Sequence, residues 1–144
     1  MNVGGLALQG CIEPHLDMLQ KIGATSIEVR SITDLDSIDR LIIPGGESTT
    51  MLKLLNSTGL YTSVQEFGKK NPVWGICAGA ILISKEVIHP EQQSMKLIAV
   101  RATRNYYGAQ SESFKAKIEI EPLDATMEVD FIRAPLLEPL NSKD

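Results

Sequence analysis

Short apolar runs alternate along this sequence with segments of helical periodicity, and few folds accommodate that order. The runs predict buried strands at residues 3–8, 26–29, 40–46 and 72–76. The other segments predict helices at residues 12–22, 48–57, 60–70 and 78–87. We therefore expect an α/β fold of three layers, in which a mainly parallel sheet carries helices on both faces.

The C-terminal third of the sequence has a different pattern. Residues 96–103, 113–120 and 128–134 predict strands with no helices between them, which favours a small antiparallel extension. Residues 136–144 are polar and typical of a loop. Because no repeat, low-complexity segment or linker divides the chain, we expect one domain that covers residues 1–144.

Composition excludes several functional classes. The chain has 144 residues and a formal net charge of −4, with no dense cluster of lysine and arginine, so we expect no nucleic-acid partner. No apolar stretch approaches the roughly 20 residues that span a membrane, and we expect no signal peptide. Cys11 and Cys77 make a weak case for a disulfide, and no Cys/His spacing predicts a metal site. The expected location is the reducing cytoplasm.

A tight corner between a predicted strand and a predicted helix carries the second cysteine. Its sequence, Gly75-Ile76-Cys77-Ala78-Gly79, is the thiol counterpart of the Gly-x-Ser-x-Gly nucleophile elbow. Flanking glycines allow a sharp turn, and the start of the helix favours the reactive thiolate. The Ala78 N–H is placed to stabilise an oxyanion. An inert cysteine packed at the junction remains the alternative for this pattern taken alone.

A second strand end strengthens the functional interpretation. The segment "IIPGGESTT", residues 42–50, is a strand that ends in a Gly-Gly turn and opens a helix. Ligands of doubly wound sheets bind beyond the carboxyl ends of the strands. In a parallel sheet this turn therefore lies close to Cys77 and offers a further N–H from Gly45 or Gly46.

Five motifs together resemble a known family. "GLALQG", "PGGESTT", "GICAGAILIS", "RNYYGAQ" followed by "SF", and "FIRAP" occur in this order between residues 5 and 135. They resemble the glutaminase subunit of pyridoxal 5′-phosphate synthase, a triad (class I) glutamine amidotransferase with a flavodoxin-like sheet. The resemblance implies hydrolysis of L-glutamine to glutamate and ammonia, with no cofactor. It also implies a synthase partner that receives the ammonia.

The resemblance also implies roles for individual residues. Cys77 is expected to be the nucleophile, and the peptide between Gly45 and Gly46 is expected to contribute to the oxyanion hole with Ala78. The residues expected to bind glutamine are Gly46, Glu47, Ser48, Arg104, Ile132 and Arg133.

Physical chemistry supports these roles and leaves alternatives open. An arginine binds an α-carboxylate through two parallel hydrogen bonds, but Arg104 or Arg133 can equally form a surface ion pair. Glu47 can meet the α-ammonium group or only stabilise the first turn of its helix. Ser48 can be a plain N-cap.

The sequence departs from the family at the catalytic base. The family pattern has a His-x-Glu pair beyond "FIRAP", and this chain contains only His15 and His89. We expect His89 to follow the helix after Cys77, out of reach of the thiol, and His15 to face solvent or a partner. A chain shortened at the C-terminus is the favoured explanation. The functional alternatives are a catalytically silent subunit of the same complex and a different thiol hydrolase on a flavodoxin-like sheet.

Overall fold

Four parallel strands form the centre of the molecule. We analysed a computed structural model that describes residues 1–108, 113–132 and 134–141. The strands are β1 (Asn2–Leu6), β2 (Thr25–Val29), β3 (Arg40–Ile43) and β4 (Val73–Gly75), in the spatial order β2-β1-β3-β4. This arrangement confirms the predicted parallel sheet and brings the ends of β3 and β4 side by side.

Helices cover both faces of this sheet, as expected. They are α1 (Glu13–Lys21), α2 (Ile32–Leu35), α3 (Ser48–Ser57), α4 (Leu60–Gly68) and α5 (Ala78–Ile83). α1 packs on one face, and the other helices supply the larger core on the opposite face. α2 is the single helical turn within the polar connection between β2 and β3.

Alternation along β3 separates the two cores. Leu41 and Ile43 belong to the larger core, whereas Ile42 lies on the opposite face beside Ile12 and Leu19 of the α1 layer. Because successive side chains of a strand point to opposite faces, an apolar run buried on both sides is expected for a central parallel strand. The layering therefore follows directly from the residues of the strand.

The remaining strands form two smaller sheets. β5 (Ser84–Ile88), β6 (Ile98–Thr103) and β9 (Leu136–Pro139) form one sheet, and β7 (Phe114–Ile120) pairs with β8 (Ala125–Phe131) as an antiparallel hairpin. β5 and β6 are parallel, whereas β9 is antiparallel to β6. The extension is therefore mixed rather than purely antiparallel.

Two sequence predictions in this region are wrong. The helix predicted over 78–87 ends at Ile83, because the Ser84 hydroxyl donates to the Ala80 carbonyl at 2.7 Å and the backbone then becomes extended. Val87 is instead buried against Ile81. Residues 136–139, predicted as a loop, form β9 because their backbone pairs with β6.

No helix in the described part of the chain is both long and apolar enough to cross a membrane.

Candidate active site

Cys77 lies at the corner where β4 ends and α5 begins. Its backbone has φ 49° and ψ −105°, in the left-handed half of φ space that side-chain-bearing residues rarely adopt. Such strain persists only where the surrounding structure holds it, and it concentrates at functional sites. The predicted elbow is therefore present.

The glycines of the corner serve close packing rather than the turn itself. Neither Gly75 nor Gly79 has a positive φ. A Cβ atom on Gly79 would lie 2.1 Å from the Ile43 carbonyl oxygen, and one on Gly75 would lie 2.5 Å from the Gly79 carbonyl carbon. The sharp turn predicted at these glycines is made by Cys77 itself.

The thiol of Cys77 is not activated by its local surroundings alone. Burial raises the pKa of Cys77 above its ordinary value, and the hydrogen bond from the Ala78 N–H lowers it by a smaller amount. The expectation that the corner favours the thiolate is therefore wrong for this arrangement, because desolvation outweighs the backbone N–H. A thiol in this state needs a base before it can attack.

The Gly-Gly turn after β3 lies directly against the thiol. A Cβ atom on Gly45 would be 3.4 Å from the Cys77 Cβ atom. On its other side this turn meets the loop after β1. A Cβ atom on Gly10 would lie 2.1 Å from the Gly45 carbonyl oxygen, and the Gln9 side chain accepts a hydrogen bond from the Glu47 N–H at 3.0 Å. The predicted convergence of the two strand ends is thus observed.

Glu47, not Ser48, caps helix α3. Its carboxylate accepts hydrogen bonds from the N–H groups of Thr49 at 3.1 Å and Thr50 at 2.7 Å. Burial alone would raise the pKa of Glu47, but the bonds from Thr50 and Thr49 together lower it, so the group is a carboxylate at neutral pH. Ser48 is buried, and its hydroxyl points instead to the Gln92 side chain. The alternative that Ser48 is a plain N-cap is therefore wrong.

A cavity of about 350 Å³ opens in front of the thiol. The residues that line it come from four separate segments of the chain: Gly46, Glu47, Ser48, Cys77, Ile81, Arg104, Asn105 and Ile132. The nucleophile and five of the residues predicted to bind glutamine are therefore brought together. Gly45 and Ala78 border Cys77 without lining the cavity, and Arg133 lies outside the described residues.

Arg104 is held at the wall of this cavity. Its side chain is only 12% exposed, and Nη2 lies 3.5 Å from Glu47 Oε1 and 3.2 Å from Thr49 Oγ1. The ion pair with Glu47 is therefore largely sheltered on the arginine side, unlike the surface pair that the sequence left open. The rest of the planar guanidinium can bind a carboxylate.

An aromatic cluster fixes the turn that carries Arg104 and Asn105. The Tyr107 ring contacts Phe114 and Phe131 at centroid distances of 5.7 and 5.1 Å, and these two phenylalanines stack at 4.8 Å. Because Phe131 precedes Ile132 in the chain, the same cluster ties both walls of the cavity to the β7–β8 hairpin.

Neither histidine lines the cavity. His89 is exposed and follows β5, and His15 is half-buried on α1. The prediction that His89 lies beyond a helix is wrong, because residues 84–88 are a strand. Within residues 1–108, 113–132 and 134–141, no group of three or more His, Cys, Asp or Glu side chains is arranged to hold a metal ion.

Sequence reasoning missed several residues of the site. Ile81 lies one helical turn after Cys77, so its spacing could have placed it on the same side of α5. Asn105 follows Arg104 directly and adopts a positive φ of 54°, which asparagine tolerates. Gln92 contacts Ser48 from the loop between β5 and β6, and no local pattern predicts that contact.

A cysteine at a strand–helix corner of a parallel sheet, facing a cavity walled by an arginine, is the arrangement of a cysteine-dependent hydrolase on an α/β fold. Comparison with known proteins narrows this class. The model of the SNO glutamine amidotransferase family matches residues 5–144. The chain therefore belongs to the SNO glutamine amidotransferase family.

Individual relatives agree with this assignment. A protein of Roseiflexus castenholzii named pyridoxal 5′-phosphate synthase subunit PdxT is 46% identical, over 97% of this chain and 76% of that protein. Its Brevibacillus brevis namesake is 44% identical, over 95% and 72% respectively. A solved structure described as a glutamine amidotransferase superposes with a TM-score of 0.85 at 38% identity, and covers 97% of this chain and 75% of its own.

Proposed function

We propose that this chain is a glutaminase subunit that hydrolyses L-glutamine to glutamate and ammonia and delivers the ammonia to a synthase partner that makes pyridoxal 5′-phosphate. The observation that carries the proposal is the cavity in which Cys77 faces Glu47, Ser48, Arg104 and Ile132. Membership of the SNO family and the names of its relatives support the same activity and the same kind of partner.

The chemistry assigned to Cys77 is nucleophilic acyl transfer. Its sulfur attacks the side-chain carboxamide carbon, the C–N bond breaks, and the thiol proton leaves with the nitrogen as ammonia. Water then hydrolyses the glutamyl thioester to glutamate and regenerates the thiol. In this proposal, backbone N–H groups of Gly45, Gly46 and Ala78 stabilise the oxyanion of both steps.

The remaining residues of the cavity suit the amino-acid end of glutamine. Arg104 supplies guanidinium donors for the α-carboxylate, and Glu47 supplies a carboxylate for the α-ammonium group, both at one wall. Ile81 and Ile132 supply apolar surface for the two methylene groups between the ends. Arg133 retains its predicted role in binding the carboxylate as part of the proposal.

A second candidate is a subunit of the same complex that binds glutamine without turning it over. Two observations favour it: neither His15 nor His89 lines the cavity, and burial raises the pKa of Cys77. Both candidates place the protein with its partner in the cytoplasm, and both require recognition of glutamine. They differ only in whether the thiol receives help from a base.

Affinity labelling tests recognition. A diazo-ketone analogue of glutamine alkylates a thiol by forming an S–C bond, with loss of N₂ and transfer of the thiol proton to the diazo carbon. We expect peptide mapping to find the label on Cys77, and L-glutamine to slow the labelling in proportion to its occupancy of the site. The exposed Cys11 is the internal control and should stay unlabelled under the same conditions.

Two results would contradict the proposal. One is labelling of Cys11 and Cys77 at comparable rates, which would indicate simple thiol reactivity. The other is labelling of Cys77 that L-glutamine does not slow at any concentration. A Cys11→Ser variant should behave like the parent chain, whereas Cys77→Ser should lose the label completely.

A further inference from the structure

Gln92 joins the two polar residues that follow Glu47 in helix α3. Its Oε1 atom accepts a hydrogen bond from the Ser48 hydroxyl at 3.0 Å and a longer one from the Thr49 hydroxyl at 3.4 Å. Thr49 in turn accepts a hydrogen bond from Arg104 at 3.2 Å. One amide oxygen therefore lies behind the wall of the cavity and accepts hydrogen bonds from two hydroxyl groups.

The charged end of this chain of bonds has a fixed direction. An arginine side chain has donors and no acceptor, so the Thr49 oxygen accepts from Arg104 and its own proton is free to point to Gln92. In the structure the amide oxygen of Gln92 faces the two hydroxyls. The other amide atom of Gln92, Nε2, is buried and has no hydrogen-bond partner among the described residues.

The bond to Gln92 determines which part of the Ser48 hydroxyl faces the cavity. A hydroxyl group has one proton, and the proton of Ser48 is engaged by Gln92. What Ser48 presents to the cavity is therefore a lone pair, which accepts a hydrogen bond from a ligand and cannot donate one. Because Glu47, the adjacent residue, also lines this wall with a carboxylate, the wall suits a cationic donor.

We propose that Gln92 is a positioning residue that orients the Ser48 hydroxyl to accept a hydrogen bond from the ammonium group of an amino-acid ligand. The inference rests on the proposed function, since it concerns the same cavity. This arrangement would make the cavity selective. Ligands with a protonated amine beside the carboxylate would bind better than otherwise identical ligands that lack the amine.

The loop that carries Gln92 is anchored independently of this residue. The Tyr61 hydroxyl donates to the Ser94 carbonyl at 2.7 Å, and Gln65 Nε2 donates to the Met95 carbonyl at 2.9 Å. The Met95 side chain is itself buried in the larger core. Replacing Gln92 by methionine, which has similar length and no polar group, should therefore leave the loop in place.

The test compares two electrophiles that differ only at the α-carbon: 6-diazo-5-oxo-L-norleucine, and 6-diazo-5-oxohexanoate, which lacks the amino group. The measured quantity is the ratio of their second-order rates of Cys77 labelling. The parent chain should prefer the amino-bearing reagent. Gln92→Met should reduce that preference about tenfold or more, the effect of one lost hydrogen bond to a charged group. Gln93→Met, an exposed neighbour in the same loop, should leave it unchanged.

Further variants separate positioning from a general structural role. Gln92→Glu keeps acceptor oxygens for Ser48 and should keep the preference, so it remains informative if the methionine variant does not fold. Ser48→Ala should lose the preference by itself, and adding Gln92→Met to it should cause little further loss. Labelling by iodoacetamide, which has no amino-acid end, should have the same rate in Gln92→Met and Gln93→Met as in the parent chain.

The outcomes distinguish this inference from the proposed function. An equal fall in both diazo-ketone rates, or an unchanged preference in Gln92→Met, would overturn the role of Gln92. So would loss of the preference in Gln92→Glu, or a parent chain without any preference. Failure of 6-diazo-5-oxo-L-norleucine to label Cys77 of the parent chain would instead contradict the proposed function itself.

Discussion

Cys77 combines a strained backbone with a thiol whose pKa is raised by burial. Its φ of 49° is imposed by the corner between β4 and α5, and the pKa of the thiol is raised because desolvation outweighs the bond from Ala78. The residue is thus presented to the cavity by geometry, while its activation depends on a group that removes the proton. Positioning and activation are separate properties of this site.

The pH dependence of alkylation tests this description of the thiol. Since only the thiolate reacts and its pKa is raised, the iodoacetamide rate of Cys77 should reach half of its maximum at a higher pH than that of a free thiol such as N-acetylcysteine. At neutral pH Cys77 should therefore react more slowly. A midpoint below that of the free thiol would show that the corner stabilises the thiolate after all.

At the scale of elements, the site depends on how closely α5 approaches β3. Gly79→Ala would place a methyl group 2.1 Å from the Ile43 carbonyl oxygen, and rigid backbone cannot yield to it. We expect the free energy of unfolding, measured by urea denaturation, to fall by about 3 kcal/mol or more. Gly68→Ala meets mainly the tip of the flexible Leu97 side chain and should have a smaller cost. Equal costs would contradict this packing.

The aromatic cluster supports the cavity from the opposite side. Tyr107→Ala removes the ring that contacts both phenylalanines of the β7–β8 hairpin, so hydrogen exchange over residues 114–131 should accelerate and protection of Cys77 by L-glutamine should weaken. Tyr106→Ala is the matched control, because that ring is 57% exposed and contacts Tyr107 only at its edge. Similar effects of the two variants would show that the cluster does not hold the cavity wall.

At the scale of the whole molecule, binding of glutamine and hydrolysis of glutamine are separate properties that need separate measurements. Neither histidine of the chain lines the cavity. Since the proposed function is glutamine hydrolysis at Cys77, we expect ammonia release above background, and release that stays at background would favour the binding subunit that does not turn glutamine over. A coupled assay for ammonia, with Cys77→Ser as control, measures this. Release above background that disappears in Cys77→Ser would mean that a base acts on the thiol from a residue that does not line the cavity.

Much of the fold and of the candidate site was predictable, because the sequence patterns that specify them are local. The strand ends at Gly45 and at Cys77 are each marked by a local glycine-containing turn sequence. The parallel sheet brings these two ends together. Residues 84–88 were misread because apolar residues within a short run fit a helix or a strand equally well. The role of Ser48 was missed because its partner, Gln92, is 44 residues away. That residues 1–144 form one domain stays a prediction.

The most direct measurement is a crystal structure of the chain after reaction with 6-diazo-5-oxo-L-norleucine. We expect a thioether at Cys77, with the carboxylate of the adduct against Arg104 and its ammonium group against Glu47 and Ser48. An adduct on Cys11, or one on Cys77 whose amino-acid end lies outside the cavity, would contradict the claim that this cavity is a glutamine site.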